Sequence, residues 1–355
     1  MREQSVARRA APHYDPGVPR VVVVTVTYNS TPVLPGFLDG FAALAECCDV
    51  QLCLVDNASG DGTAAAARRL LAERGVDSAL VFEQTANAGW GAGNNRGVRE
   101  APPCEFFLFL NPDVVLDPDA LAALLAAVDA EPGAAAAVPR LRAPGGTLRA
   151  PVFPWHTLAD SVLGMCGWRR LRHRRLQRRL APRSDTVPLT AGYAEGSCLL
   201  LRAEVLAAIG GFDERFHLFF DDADLGRRLR DAHAGALLVG GAVARDLGGK
   251  GSRAAPGGTR ADERLQRFVA HLRAELRYYD KWWGRRTARR LALYKKHFEL
   301  PLRAVWWRLG HGVRGLAPAG RGAVDETLAS WTDGAQDSST SSISERNRAS
   351  RPRGG

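Results

Sequence analysis

The run "RVVVVTVTYNS", residues 20–30, restricts the possible folds of this chain more than any other stretch. Its β-branched residues favour extended backbone, and it has no polar alternation, so both faces of the strand must be covered. The segments that follow supply the covering layers. "TPVLPGFLDGFAALAE" reads as a helix, "VQLCLVD" as a second strand ending at Asp56, and "NASGDGT" as a dense turn signal. "TAAAARRLLAERG" is the next helix, closing at Gly75, and "SALVFEQ" the third strand. The Gly/Asn-rich loop "TANAGWGAGNNRG" leads to a short helix ending at Glu100, then "EFFLFL" is the fourth strand and "DALAALLAAVDAEPG" the helix after it. Strands alternating with helices at this spacing predict an α/β fold with a mostly parallel, doubly wound sheet.

"AAAAVPRL", "GYAEGSCLLLRAEVLAAIGGFDERF", "LFFDDADLGRRLRDAHAG" and "ALLVGGAVARDLGGKGS" continue this domain, giving it the bounds 19–255. Residues 256–318 read as a basic, aromatic helical extension, interrupted near Gly284 and Pro301. Residues 1–18 read as a disordered N-terminus, and 319–355, polar and without apolar periodicity, as a disordered tail. No apolar segment approaches the roughly 20 residues that span a bilayer, and the N-terminus lacks the apolar core of a secretory signal. The six cysteines form no C-x-x-C pair, which predicts reduced thiols in a cytoplasmic protein rather than a zinc site or disulfide framework.

The formal net charge of +10 matters for where it sits: "WRRLRHRRLQRRLAPR" (168–183) and residues 277–310 carry most of the excess. An anionic substrate, an anionic membrane surface and nucleic acid are the partner classes this allows; a solvated arginine face serves equally for the first segment. No nucleic-acid-binding module accompanies the charge, so nucleic acid is not the expected partner.

Motifs narrow the chemistry. "GWGAGNNRG" does not place glycines as G-x-G-x-x-G and follows the third strand, which disfavours a dinucleotide-binding dehydrogenase. There is no G-x-x-x-x-G-K-[ST] and no G-x-S-x-G, which removes P-loop NTPases and serine hydrolases of the α/β type. Carboxylates remain, recurring at predicted strand ends: Asp56, Asp113, Asp221, Asp222 and Asp246. The strand "FLFL" must stop at Asn111-Pro112-Asp113 because proline lacks a donor and fixes φ. Either a turn opens the next helix there, with Asp117 or Asp119 near its N-terminus, or Asp113 is held where open α/β sheets place ligands. In "FFDDADLGRRLRDA" three aspartates crowd a helix start behind two phenylalanines. That arrangement suits either dipole complementarity or a carboxylate made basic by desolvation and like charge.

In order, "VVVVTVTYNS", "LVDNASGDGT", "NAGWGAGNNRG", "FLFLNPD", "GGFDERFHLFFDDADLGRRLR" and "LGGKGS" resemble the family 2 glycosyltransferases, inverting enzymes with the GT-A fold, over residues 19–255. The look is closest to bacterial rhamnosyltransferase-like members, in which Asn-Pro-Asp often stands for the Asp-x-Asp metal motif. The resemblance implies a nucleotide-sugar donor, Mg²⁺ or Mn²⁺, and a cytoplasmic enzyme of cell-wall or polysaccharide synthesis. It implies that Thr27, Asn29, Asp56 and Asn57 line the nucleoside pocket, with Asp56 accepting from the base. Asn87, Gly89 and Asn95 then face the sugar nucleotide, Asn111 reaches the ribose or a metal-bound water, and Gly196 and Ser197 admit the transferred sugar. Asp113 and Asp246 become metal ligands and Asp222 the catalytic base. The chain departs from the family at Asp246, where many relatives carry histidine, and at Glu195 and Asp221, where a small residue and glutamate are commoner.

The implied reaction is a single in-line displacement of a sugar, L-rhamnose from dTDP-rhamnose, onto a hydroxyl of a glycan, polyprenyl-linked or small-molecule acceptor. A UDP-sugar donor, another dTDP-deoxysugar donor and a non-catalytic nucleotide-sugar binder are the alternatives. Trp282, Trp283, Trp306 and Trp307 among basic residues read either as a peripheral membrane contact on the inner face or as core of a helical cap.

Overall fold

A computed structural model describes residues 19–248, 260–302 and 318–332. The valine run forms strand β1 (Val21–Thr27), buried along its whole length. It lies between two parallel neighbours, β2 (Val50–Asp56) and β4 (Phe106–Leu110), with β3 (Ala79–Glu83) parallel outside β2. Beyond β4 come β11 (Cys198–Arg202), β6 (Ala134–Arg142), β12 (Gly235–Asp246) and β5 (Val114–Leu116), so the sheet order is β3-β2-β1-β4-β11-β6-β12-β5. β11 and β5 run antiparallel to their neighbours and the others are parallel along this path. Short strands β7 (Leu148–Arg149) and β9 (Thr186–Pro188) pair with β6 and β12, while β8 (Val152–Pro154) and β10 (Gly192–Ala194) form a separate ribbon. The architecture is the mixed α/β class with a mainly parallel central sheet, as expected from the sequence.

Period-two alternation divides the core between the faces. Val21, Val23, Leu52, Leu54 and Leu108 meet helices α1 (Leu34–Cys47), α2 (Thr63–Glu73) and α4 (Pro118–Ala130) on one side. Val22, Val24, Phe107, Phe109 and Leu199 pack with Phe212 and Leu225 on the other. Each fully buried valine or leucine here contributes about 1.5–3 kcal/mol relative to exposure. Helix α3 (Trp90–Glu100) also covers the second face, and it begins inside the stretch expected to be loop. Gly93 and Gly97 are the reason: a Cβ there would lie 2.7 and 2.4 Å from the side chains of Val26 and Val24, so glycine lets the helix press against the sheet.

Four helices complete this part: α5 (Leu158–Val162), α6 (Trp168–Leu180), α7 (Ala203–Ala208) and α8 (Asp221–Asp231). The extension holds α9 (Arg260–Trp283) and α10 (Arg285–Tyr294), separated at Gly284, whose φ of +84° is natural only for glycine. A π-helical turn, Lys295–Glu299, follows α10, and the described residues of this segment end at 302, at the edge of the interruption expected near Pro301.

The tail expectation is corrected in part. Pro318–Thr332 is a helix, and Val324, Leu328 and Trp331, spaced four and three apart, are buried with Val269, Leu276 and Leu291 of α9 and α10. Residues 1–18 and 333–355 lie outside the described residues, as do Trp306 and Trp307. Trp282 and Trp283 stack on the Arg227 guanidinium at 4.4 and 4.3 Å, so they belong to the packing of α9 against α8. Among the described residues no helix is long and apolar enough to cross a membrane.

Candidate active site

A cavity of about 970 Å³ opens where β1, β2 and β4 end, bounded across from them by α6, α8 and α9. Asn57, Asn87, Gly89, Asn111, Asp113, Gly196, Ser197 and Asp222 all line it, so the fold gathers eight of the residues singled out in the sequence. The strands deliver three of these directly, because a chain leaving the C-terminal edge of a parallel sheet must turn there.

Thr27, Asn29 and Asp56 form the layer beneath. The Thr27 hydroxyl and the Ser59 hydroxyl donate to Asp56 Oδ1 at 2.8 and 2.6 Å, and the Ser59 N–H donates to Oδ2 at 2.9 Å. Asp56 is only 3% exposed, with three of a carboxylate's roughly four acceptor positions taken by the protein. Asn29, at φ +50°, accepts from the Gly60 N–H at 2.9 Å and donates its own N–H to Ser59. Asn57 fixes the next loop: its Nδ2 donates to Asn87 Oδ1 and the Gly89 carbonyl, and its Oδ1 accepts from Gln84 and the Ala88 N–H, all at 2.9–3.1 Å. Gly89 has φ +95°, and a Cβ there would sit 2.4 Å from the His217 carbonyl oxygen.

Trp90 was not singled out in the sequence, yet it joins three of these elements. Its indole N–H donates to Asn111 Oδ1 at 3.1 Å, and its ring lies 2.5 Å from where a Cβ on Gly196 would be. Ser197 lines this part of the cavity, and its hydroxyl is buried without a partner among the described residues. Asn95 is not among the lining residues. Its amide bridges α3 to the Phe212 backbone and Glu214 at 2.8–2.9 Å, so its role here is to pin the loop before α8.

Asp113 and Asp246 become neighbours through β5, a three-residue strand hidden in "VVLDPD". Val114 pairs with Asp246, and the Leu247 N–H donates to the Asp113 carbonyl at 2.8 Å. Burial, and next the charge of Asp246, push the Asp113 carboxyl up to about 6. Asp246 itself is outside the cavity lining and accepts from the Gly248 N–H at 2.8 Å. Among the described residues no group of three or more His, Cys, Asp or Glu side chains is placed to hold a metal ion. Two adjacent carboxylates nevertheless fit a hard divalent cation that takes its remaining oxygens from a substrate's phosphates. The rest of "LGGKGS" after Gly248 is outside the described residues.

Helix α8 carries the second carboxylate group. Phe219 and Phe220 precede it at φ +70° and +63°, a conformation that costs bulky L-residues of the order of 1–3 kcal/mol each and that marks sites held by their surroundings. The turn they make puts Asp221 and Asp222 in the first helical turn. Desolvation, then the like charge of Asp221 and of Glu195, holds Asp222 well above the usual carboxylate range, although its Oδ1 accepts from the Ala223 N–H at 2.7 Å. Asp221 is raised mainly by burial as well. Asp224 points the other way and is fully buried against α9. It accepts from Arg228 Nε at 2.8 Å, Lys281 Nζ at 2.6 Å and the Trp282 indole N–H at 3.0 Å.

The far wall was legible only as charge. Tyr193 and His156 share a hydrogen bond of 2.9 Å beside the Phe220 ring, and burial pushes His156 down to about 4, so it is neutral at pH 7. Beyond them Arg169, Arg170 and His173 of α6 and Arg267 and His271 of α9 line the cavity. Glu195, noted as a departure, makes a two-point ion pair with Arg149.

The family model described as "Glycosyl transferase family 2" matches residues 22–210. An N-acetylglucosaminyl-diphospho-decaprenol L-rhamnosyltransferase of Mycobacterium tuberculosis is 32% identical over 228 residues, spanning 59% of this chain and 70% of the relative. An O-antigen biosynthesis protein of Myxococcus xanthus is 29% identical over 230 residues, which are 60% of this chain and 16% of the other. Among solved structures, a mannosyltransferase from Pyrobaculum calidifontis in complex with GDP-Man and Mn²⁺ aligns with a TM-score of 0.49 and 19% identity, covering 88% of this chain and 86% of that one.

Proposed function

This chain belongs to glycosyl transferase family 2 and is a glycosyltransferase, and from that premise we propose that it moves L-rhamnose from dTDP-rhamnose, with inversion, to a hydroxyl of a polyprenyl-diphosphate-linked glycan. The observation that carries this reading is that Asp113 and Asp222 line one cavity, at the edge where β1, β2 and β4 end. The relative acting on N-acetylglucosaminyl-diphospho-decaprenol supports both the sugar and the acceptor.

Asp222 takes the proton of the acceptor hydroxyl as its oxygen attacks the anomeric carbon. A carbon–oxygen bond forms on one face of the sugar while the bond to the diphosphate oxygen breaks on the other. The raised basicity of Asp222 suits a general base, whose driving force grows as its pKa approaches the working pH. Trp90, Gly196 and the free Ser197 hydroxyl shape and hold the sugar's place, and Asn57 sets the Asn87–Gly89 loop against the nucleotide. Mg²⁺ or Mn²⁺ held by Asp113 and Asp246 would supply positive charge to the departing diphosphate. Asp56, with one acceptor position left, is assigned to the base, and Asn95 to positioning the loop before α8.

The test is a thermal-shift series with dTDP, UDP, GDP and CDP, each with and without Mg²⁺. Stabilisation by dTDP that requires the metal is the expected result; a ligand at 100 times its Kd adds about 2.7 kcal/mol. A shift with UDP alone would replace rhamnose by a UDP-sugar. No shift with any nucleotide would remove the donor site altogether.

We also propose that the enzyme works peripherally on the inner face of an anionic membrane, through α5 and α6 rather than through Trp282 and Trp283. Leu158, Val162, Leu163 and Leu171 are exposed there beside Arg174, Arg175, Arg178 and Arg179. Apolar insertion with a basic surround is what an interfacial contact uses. Co-sedimentation with vesicles containing anionic lipid is expected, weakening as salt is raised. Equal binding to neutral vesicles, or none to either, would rule the contact out.

A further inference from the structure

The cavity lining carries groups of both charges, and the proposed reaction uses only the acidic ones. Asp113, Glu195, Asp221 and Asp222 line it, and so does Asp160, which is paired with Arg172. Arg169 and Arg170 of α6 and Arg267 of α9 line it as well. Among the described residues Arg170 and Arg267 carry no ion pair, and Arg169 has only a 3.4 Å contact with His271, itself held toward the neutral form mainly by burial. Elsewhere on α6 the contrast is plain: Arg172 is tied to Asp160. Unpaired guanidiniums on a concave wall, brought together from two separate helices, form an anion site in waiting.

We infer that Arg169, Arg170 and Arg267 bind the diphosphate of the acceptor, so that the transferase recognises a sugar diphosphate ester rather than a sugar alone. This rests on the proposed function and assigns the acceptor's anchor within the same cavity. The donor's diphosphate belongs at Asp113 and Asp246, where a cation can offset it, so a second anionic group needs its own countercharge. Tyr193 lines the same cavity and is hydrogen-bonded to His156, which packs on the Phe220 ring at 4.5 Å. Phe220, immediately before Asp221, lies 5.3 Å from His271, the residue that Arg169 touches, so base and cations share one aromatic wall. A sugar lying across Tyr193 would present a hydroxyl to Asp222 while its diphosphate reached the arginines, which match phosphate oxygens in planar, two-point geometry.

The experiment titrates the full chain, without divalent metal, with the N-acetylglucosaminyl diphosphate ester of a short water-soluble prenol and with the neutral glycoside of the same prenol. The unaltered chain is expected to favour the diphosphate ester. In Arg170→Ala/Arg267→Ala that preference falls by on the order of 10-fold for each guanidinium removed, the scale of a hydrogen bond to a charged group. Affinity for dTDP with Mg²⁺ stays the same in the variant. Equal affinity of the unaltered chain for the two ligands, a preference that survives in the variant, or an equal loss of dTDP affinity would each overturn the inference. Failure of the rhamnosyl-transfer reading shows separately, as absent dTDP binding with the diphosphate preference still measurable. A short prenol keeps vesicle binding out of the readout.

Discussion

Asp222→Asn is expected to bind dTDP as tightly as the unaltered chain and to lose about 10²–10⁴-fold in kcat, the range that general-base catalysis supplies. Asparagine keeps the side chain's shape and can still accept from the Ala223 N–H, but it cannot take a proton. Rates of transfer under saturating donor, with a parallel nucleotide titration, separate the two effects. The pH profile adds a sign. Transfer needs Asp222 ionised, and burial followed by Asp221 holds its pKa up, so kcat/KM should fall on acidification through a value above the ordinary carboxylate range of about 4. Asp221→Asn removes the largest like charge and should move that limb to lower pH. Turnover within threefold of normal in Asp222→Asn would assign the proton to another group.

The second large effect is on stability. Asp224→Ala is expected to cost about 3–5 kcal/mol, the scale for removing one partner of a buried ion pair. Asp224 has no exposed surface; its loss takes from Arg228 its carboxylate, takes from Lys281 one of two (Asp213 remains at 2.8 Å), and leaves the Trp282 indole N–H without its acceptor. For a chain of this size the melting temperature should drop by on the order of 10 °C. Asp224→Asn retains an acceptor for Trp282 and should lose less. A drop of only a degree or two in the alanine variant would mean that α9 does not depend on this contact for its seat on α8.

Local signals in the sequence suffice where they decide structure by themselves. The strand over 50–56 is found at those bounds, the helix break falls at Gly284, and proline ends β4 before Asp113. What escaped was set by partners distant in the chain. β5 is three residues long and exists because β12, over a hundred residues later, pairs with it. The glycines of "GWGAGNN" look like loop glycines, yet Gly93 and Gly97 are spaced four apart on a helix face that meets Val26 and Val24. Asn95 resembles a ligand-binding amide in sequence, but Phe212 and Glu214 use both of its ends. The arginines of α6 were visible as charge. Nothing local told Arg169 and Arg170, which face the cavity, from Arg172, which is tied to Asp160. Trp282 and Trp283 had two readings, and Arg227 decides between them by stacking on both.

The fit of α9 against α8 has a consequence for anyone who would recombine this enzyme. The matched region closes at residue 210, the proposed base comes twelve positions later, and Lys281 and Trp282, which hold that helix from behind, come sixty positions after that. A chimera spliced at the end of the recognisable module would inherit a nucleotide pocket from one parent and its proton acceptor from another. A splice just before α9 would give α8 a foreign backing. Donor specificity should therefore transplant with the first two hundred residues, whereas turnover should travel only with a cassette that reaches past Trp283.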